Sequence, residues 1–156
     1  MNKAPLKYAE ARTKAMAWCA YQERSPQQLR DKLYEYGLPG DEVEDLVEEL
    51  EEDNFLNEER FAVSYAGGKF RLKGWGRIKI RQGLRQHRID EALVSKALKQ
   101  LPDKGYYLKL LDILEKKKER LSEPDTQQRK AKLLRFAAGR GFEQDLIWKA
   151  FAELEI

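Results

Sequence analysis

SPQQLRDKLYEYGLPGDEVEDLVEEL (Ser25–Leu50) decides the fold. Ser25 is a helix-capping residue, Pro26 suits a first helical turn, and Gln28 completes a capping box. Leu29 and Leu33 lie one turn apart on the same face, and Gly37 is placed to end the helix. A further helix follows Asp41, with Glu44 as its capping-box partner and Val43, Leu46, Val47 and Leu50 on one side. Upstream, helical periodicity runs from about Leu6 to Arg24.

The same pattern recurs 51 residues later in GRIKIRQGLRQHRIDEALVSKALKQL (Gly76–Leu101). Leu29, Leu33, Leu38, Val43, Leu46, Val47 and Leu50 become Ile80, Leu84, Ile89, Val94, Ala97, Leu98 and Leu101 without a gap. At a further spacing of 53, Ile89, Val94, Ala97, Leu98 and Leu101 become Phe142, Ile147, Ala150, Phe151 and Leu154. Fixed-period self-similarity is the mark of a repeat architecture. The expected fold is all-α: three tandem three-helix repeats over 1–53, 54–102 and 103–156, forming an elongated, curved molecule. Each unit is expected to bury its own small core and to touch its neighbour.

Hydrophobic residues make up 42% of the 156-residue chain and charged ones 37%; the apolar positions are too regular for a disordered tail. Net charge is only +3, so its distribution matters more than its sign. Residues 1–40 carry +3, 41–68 carry −10, 69–88 carry +8 and 89–156 carry +2. The lone Cys19 excludes an internal disulfide and reads as a small apolar residue on the helix that carries Trp18. No apolar run approaches the length of a membrane span, and a soluble cytoplasmic protein, monomeric and without membrane contact, is expected.

Catalytic signatures are missing. One Cys and one His do not make a zinc site, and there is no phosphate-binding glycine loop, HExxH or calcium loop. His87 reads as a solvated or turn-packing residue among arginines. A binder or regulator is expected, with no catalytic residue, metal or cofactor.

The charges point to what is bound. KFRLKGWGRIKIRQGLRQHR (Lys69–Arg88) has eight bases and no acid: Lys69, Arg71, Lys73, Arg77, Lys79, Arg81, Arg85 and Arg88. With Ile80 and Leu84 facing the core, Arg77, Arg81 and Arg85 recur every four residues along one outward stripe. Guanidinium groups on a rigid face suit repeated phosphates, so nucleic acid is the first candidate partner and a solvated helix face the plain alternative. Trp75 either stacks on an unpaired base or packs over the helix start. Glu48, Glu49, Glu51, Glu52 and Asp53 crowd a helix end, where they oppose the dipole. Two uses are open for them: pairing with the chain's own basic stripe, or contact with a basic protein partner.

These segments resemble the RecX family, regulators of the bacterial RecA recombinase. SPQQLRDKLYEYG (Ser25–Gly37), LEEDNFLNEERFA (Leu50–Ala62) and GRIKIRQGLRQHRI (Gly76–Ile89) are similar to family motifs in order and spacing. Two departures stand out. Gly83 replaces a usual Glu and is expected to weaken its helix, and Arg88 replaces a glycine, so that helix end is expected to lack its left-handed cap. The resemblance implies tandem three-helix repeats that lie along the groove of the RecA–single-stranded DNA filament. It also implies limited filament growth, ATP hydrolysis and strand exchange in recombination, DNA repair and the SOS response. A stand-alone helix-turn-helix-like transcription regulator is the alternative, and would prefer particular duplex sequences. A scaffold that binds only proteins is a third.

Overall fold

The computed structural model describes residues 4–156, and among these it contains nine α-helices. They are α1 (Tyr8–Tyr21), α2 (Pro26–Glu35), α3 (Gly40–Glu52), α4 (Glu58–Gly68), α5 (Arg77–Gln86), α6 (Glu91–Lys99), α7 (Asp103–Arg120), α8 (Thr126–Gly139) and α9 (Gln144–Leu154). A π-helical turn, Lys69–Lys73, continues α4. The helices pack in threes: α1 with α2 and α3, α4 with α5 and α6, α7 with α8 and α9.

Local chemistry sets the ends. The capping box at α2 is complete: Gln28 N–H donates to Ser25 Oγ at 3.0 Å and Ser25 N–H to Gln28 Oε1 at 2.9 Å. The box expected at Asp41 does not form. Instead α3 starts at Gly40 behind Pro39, so Asp41 and Glu42 fall in the first turn, where negative charge favours the dipole. Glu44 accepts from Arg30 Nε of α2 at 2.9 Å.

The middle helix of each unit ends alike. Leu38, Ile89 and Phe142 N–H groups reach back to Leu33, Leu84 and Ala137 carbonyls, around left-handed residues Gly37, Arg88 and Gly141. These three positions are related by the repeat spacings of 51 and 53. Arg88 therefore does adopt the left-handed cap (φ 58°), contrary to expectation. The hydrogen bonds and the buried Ile89 hold it in a conformation that a side chain disfavours.

All fourteen apolar positions of the first two repeats are buried, as are Phe142, Ile147, Ala150 and Phe151, while Leu154 is half-buried. The repeat also extends into α8, where buried Leu133 and Ala137 stand at the positions of Ile80 and Leu84. The cores are not three, however. The first unit keeps its own, from Ala11 to Leu56. The second and third share one core from Phe61 to Phe151, in which Phe70 stacks on Tyr106 and Tyr106 packs against Phe142. The accessible surface, 9755 Å², exceeds the roughly 8,100 Å² of a compact 18.3 kDa monomer, which fits an elongated chain of units.

Two glycines explain the close packing. A Cβ on Gly83 would lie 2.8 Å from Tyr65 Cζ, so this glycine lets α4 and α5 approach, whatever it costs α5 in propensity. A Cβ on Gly76 would lie 2.5 Å from Gly141 C and 2.6 Å from Phe142 N. Here the start of α5 abuts the end of α8: Gly76 N–H donates to Arg140 O at 2.7 Å and Ile78 N–H to Gly141 O at 3.0 Å. Free donors at one helix start thus satisfy carbonyls beyond another helix end, and the second and third units lock together.

Candidate nucleic-acid interface

The basic block is built on the π-turn, the link Gly74–Gly76 and α5. Gly74, left-handed at φ 66°, closes the π-turn as its N–H donates to Phe70 O and Trp75 N–H to Lys69 O. Trp75 is half-buried, packed against the shared core and edge-on to Tyr65. Lys69 and Lys79 lie over its ring at 4.8 and 4.6 Å. The two lysines are thereby gathered at one point, and the indole is covered by cations.

The arginine stripe is not uniform. Arg77 turns toward the third unit, where it donates to Glu143 at 2.7 Å and Asp103 at 3.0 Å and lies 3.8 Å over the Tyr106 ring. Tyr106 also donates to Glu143, and burial, then that carboxylate, raises its pKa. Arg77 is only 23% exposed, so it is a joint between units rather than an outward residue. Arg85 pairs with Glu91 on the surface; this hydrogen bond raises the guanidinium pKa and lowers that of Glu91. Arg81 is half-buried with no ion pair among the described residues. Arg71, Lys73 and Arg88 are exposed, and Arg88 makes only a long 3.4 Å bond to Gln27.

His87 packs edge-on against Phe61 and Tyr65, and burial, then Lys69, lowers its pKa. It is a turn-packing residue. It also lines a depression between the first and second units, beside Gln22, Glu23, Gln28 and Lys69. Arg60 spans that joint, bonding Glu23 at 2.7 Å and the Asn54 carbonyl at 3.1 Å.

The acidic group does not pair with the stripe among the described residues. Glu49 accepts from Arg12 at 2.6 Å and Tyr8 at 2.9 Å, which lowers its pKa, and Asp53 lies 3.4 Å from Arg12. Desolvation raises the pKa of Glu51. Glu48, Glu51, Glu52 and Asp53 are exposed, and this acidic face belongs to the first unit.

Sequence reasoning overlooked cations of the third unit. Lys116, Lys117 and Arg120 on α7 meet Arg140, just beyond α8, around a cleft of 260 Å³ floored by Ile113 and Phe136. Acids spread through residues 89–156 hid this group by bringing that segment to +2. The run EKKKER (Glu115–Arg120), read for helical faces instead of net charge, holds the signal. Among the described residues there is no group of three or more metal-ligating side chains, and no helix is long and apolar enough to cross a membrane.

Comparison with known proteins assigns each helical trio. Family models for the first, second and third three-helix domains of RecX match residues 11–50, 57–98 and 105–151. A regulatory protein RecX of Acinetobacter baylyi is 30% identical over 156 residues, covering 99% of this chain and 94% of that one. Another, of Bacillus mycoides, is 25% identical over 146 residues; the chain spans about half of it (54%) and is itself covered to 94%. The crystal structure of RecX from Lactobacillus salivarius superposes with a TM-score of 0.84 at 23% identity, over 95% of this chain and 96% of that one, a likeness of fold.

Proposed function

Since the chain belongs to the RecX family of regulatory proteins, we propose that it inhibits a RecA recombinase by binding the RecA–single-stranded DNA filament, lying in its groove. The three units, 1–53, 54–102 and 103–156, are its binding modules. Bound there, it limits filament growth, and with it ATP hydrolysis and strand exchange in recombination, DNA repair and the SOS response. It acts as a cytoplasmic monomer, by binding rather than by catalysis. The observation that carries this reading is the family match over all three units. The separate charged groups support it, as Lys69, Arg71, Lys73, Lys79, Arg81, Arg85 and Arg88 of the second unit suit phosphate and the acidic face of α3 suits basic protein surface.

A duplex-reading transcription regulator fits less well. Such modules place the start of a recognition helix against base edges. Here the start of α5 is occupied by Arg140 and Gly141, and Arg77 is held by Glu143 and Asp103.

The test is DNA-dependent ATP hydrolysis by RecA, with strand in excess and this protein well below the RecA concentration. Strong inhibition is expected, because few copies act on long polymers. No inhibition at equimolar protein, using RecA from the same source organism, overturns the reading.

A further inference from the structure

The basic surface does not end with the second unit. We propose that a single nucleic-acid strand crosses the joint between the second and third units and runs into the α7–α8 cleft. There Lys116, Lys117, Arg120 and Arg140 take its phosphates. The inference rests on the nucleic-acid part of the function proposed above and gives it a place.

Continuity is the first observation. Arg140 Nη1 donates to Lys73 O at 2.8 Å and Lys109 Nζ to Arg71 O at 3.2 Å. A Cβ on Gly74 would lie 3.3 Å from Arg140 Nη1 and 3.8 Å from Ile113 Cγ2. The cleft therefore opens against the exposed Arg71–Lys73 turn. From Lys109 through Ile113 and Lys117 to Arg120 one face of α7 runs about 16 Å, at 1.5 Å per residue.

Charge is the second. None of the six residues lining the cleft is acidic. Glu115 and Glu119 line a different depression, with Lys118 and Arg129, and Asp112 pairs with Lys116 along the exposed helix. The C-terminal dipole of α7 accounts for cations in its last turn but not for their convergence with Arg140, just beyond the end of α8. Like charges gathered at one cleft are stabilised by an anion between them.

The floor selects the chemistry. Lys117 and Arg140 lie over Phe136 at 5.1 and 4.9 Å, so the ring holds the cations in place and is not a free platform for a base. Recognition is then of backbone phosphate, without sequence preference. Carboxylates of an acidic protein would also suit the cleft. A strand is favoured because the cations lead into an acid-free run of twenty residues, a match for a polymer of evenly repeated charge.

The experiment measures anisotropy of fluorescein-labelled oligo(dT) with the full chain across a salt series. The cleft variant carries Lys116→Ala, Lys117→Ala and Arg120→Ala. A charge-matched control carries Lys99→Ala, Lys104→Ala and Arg135→Ala, all exposed and outside the cleft. Each phosphate contact on a single strand contributes about 0.7 to the slope of log K against log salt, so the cleft variant is expected to lose about 2 from its slope. Its far-ultraviolet dichroism and melting curve should match wild type, and the control should keep the wild-type slope. Equal losses in the two variants, no loss in the cleft variant, or no binding of wild type at low salt each overturn the proposal. So does loss of binding to labelled poly-glutamate with the DNA slope intact, which would make the cleft a carboxylate site. RecA inhibition is scored separately. Wild type that inhibits while the cleft variant keeps its slope retires the cleft alone; a lost slope without wild-type inhibition retires the regulator reading alone.

Discussion

Gly76→Ala should separate the joint of the second and third units. Gly76 sits at φ −85°, ψ 173°, which alanine adopts freely, so the substitution introduces no backbone strain of its own. The added methyl meets backbone, not a side chain that could swing aside: Gly141 C at 2.5 Å and Phe142 N at 2.6 Å. Relief requires α5 to move off α8, which breaks the Gly76–Arg140 and Ile78–Gly141 hydrogen bonds at about 1 kcal/mol each. Residual overpacking adds about 1–3 kcal/mol. The smaller conformational freedom of unfolded alanine returns about 0.4–1 kcal/mol. The net loss is about 2–5 kcal/mol. Because the second and third units share a core that the first does not, the loss should fall on their unfolding alone. Urea titration followed by circular dichroism, with amide hydrogen exchange to assign regions, is the assay. Protection should drop for α4–α9 while α1–α3 keep theirs. Gly68→Ala, where the Cβ meets nothing within 4 Å, is the control and should be neutral or stabilising by up to about 1 kcal/mol. An unchanged urea midpoint for Gly76→Ala would refute the close-approach argument.

Arg88→Gly should stabilise by about 1 kcal/mol, raising Tm by about 2–4 °C, since glycine adopts the left-handed cap without the side-chain penalty; a fall in Tm would mean that the Arg88 side chain contributes more than its conformation costs. Arg77→Ala should destabilise by about 2 kcal/mol by removing the cationic partner of Glu143 and uncovering Tyr106, whereas Arg81→Ala should stay within about 0.5 kcal/mol. Thermal melts that do not distinguish the two variants would contradict a joint at Arg77. His87 has a lowered folded-state pKa, so the unfolded chain binds the proton more readily. Its contribution is complete above the unfolded value of about 6.5 and is lost as pH falls through that value toward the folded one. Urea midpoints at pH 7.5 and 5.5 should differ less in His87→Gln than in wild type; an identical difference would remove His87 as the cause.

The helices and their repeat were legible in the chain because both depend on neighbours in sequence. Ser25 and Gln28 cap α2 through atoms three residues apart, Leu29 and Leu33 stand one turn apart on α2, and Val43, Leu46, Val47 and Leu50 share one side of α3, so these features hardly depend on the rest of the molecule. The family motifs of the first two units, mostly caps and core positions, were visible for the same reason. Contacts between units were not. Arg77 reads as one arginine of a solvent stripe, and only the fold brings Glu143, 66 residues away, beneath it. Gly83 reads as a weak point until Tyr65 lies across it, and Arg88 as a missing cap until Ile89 is drawn into the core. The cleft of the third unit vanished in a sum over residues 89–156, because net charge ignores which side of a helix each residue occupies. Sequence by itself determined where helices start, stop and repeat, since those energies are local. Which charges stay free to meet a partner was decided only by tertiary structure, since each depends on what folding brings within a few ångströms of it.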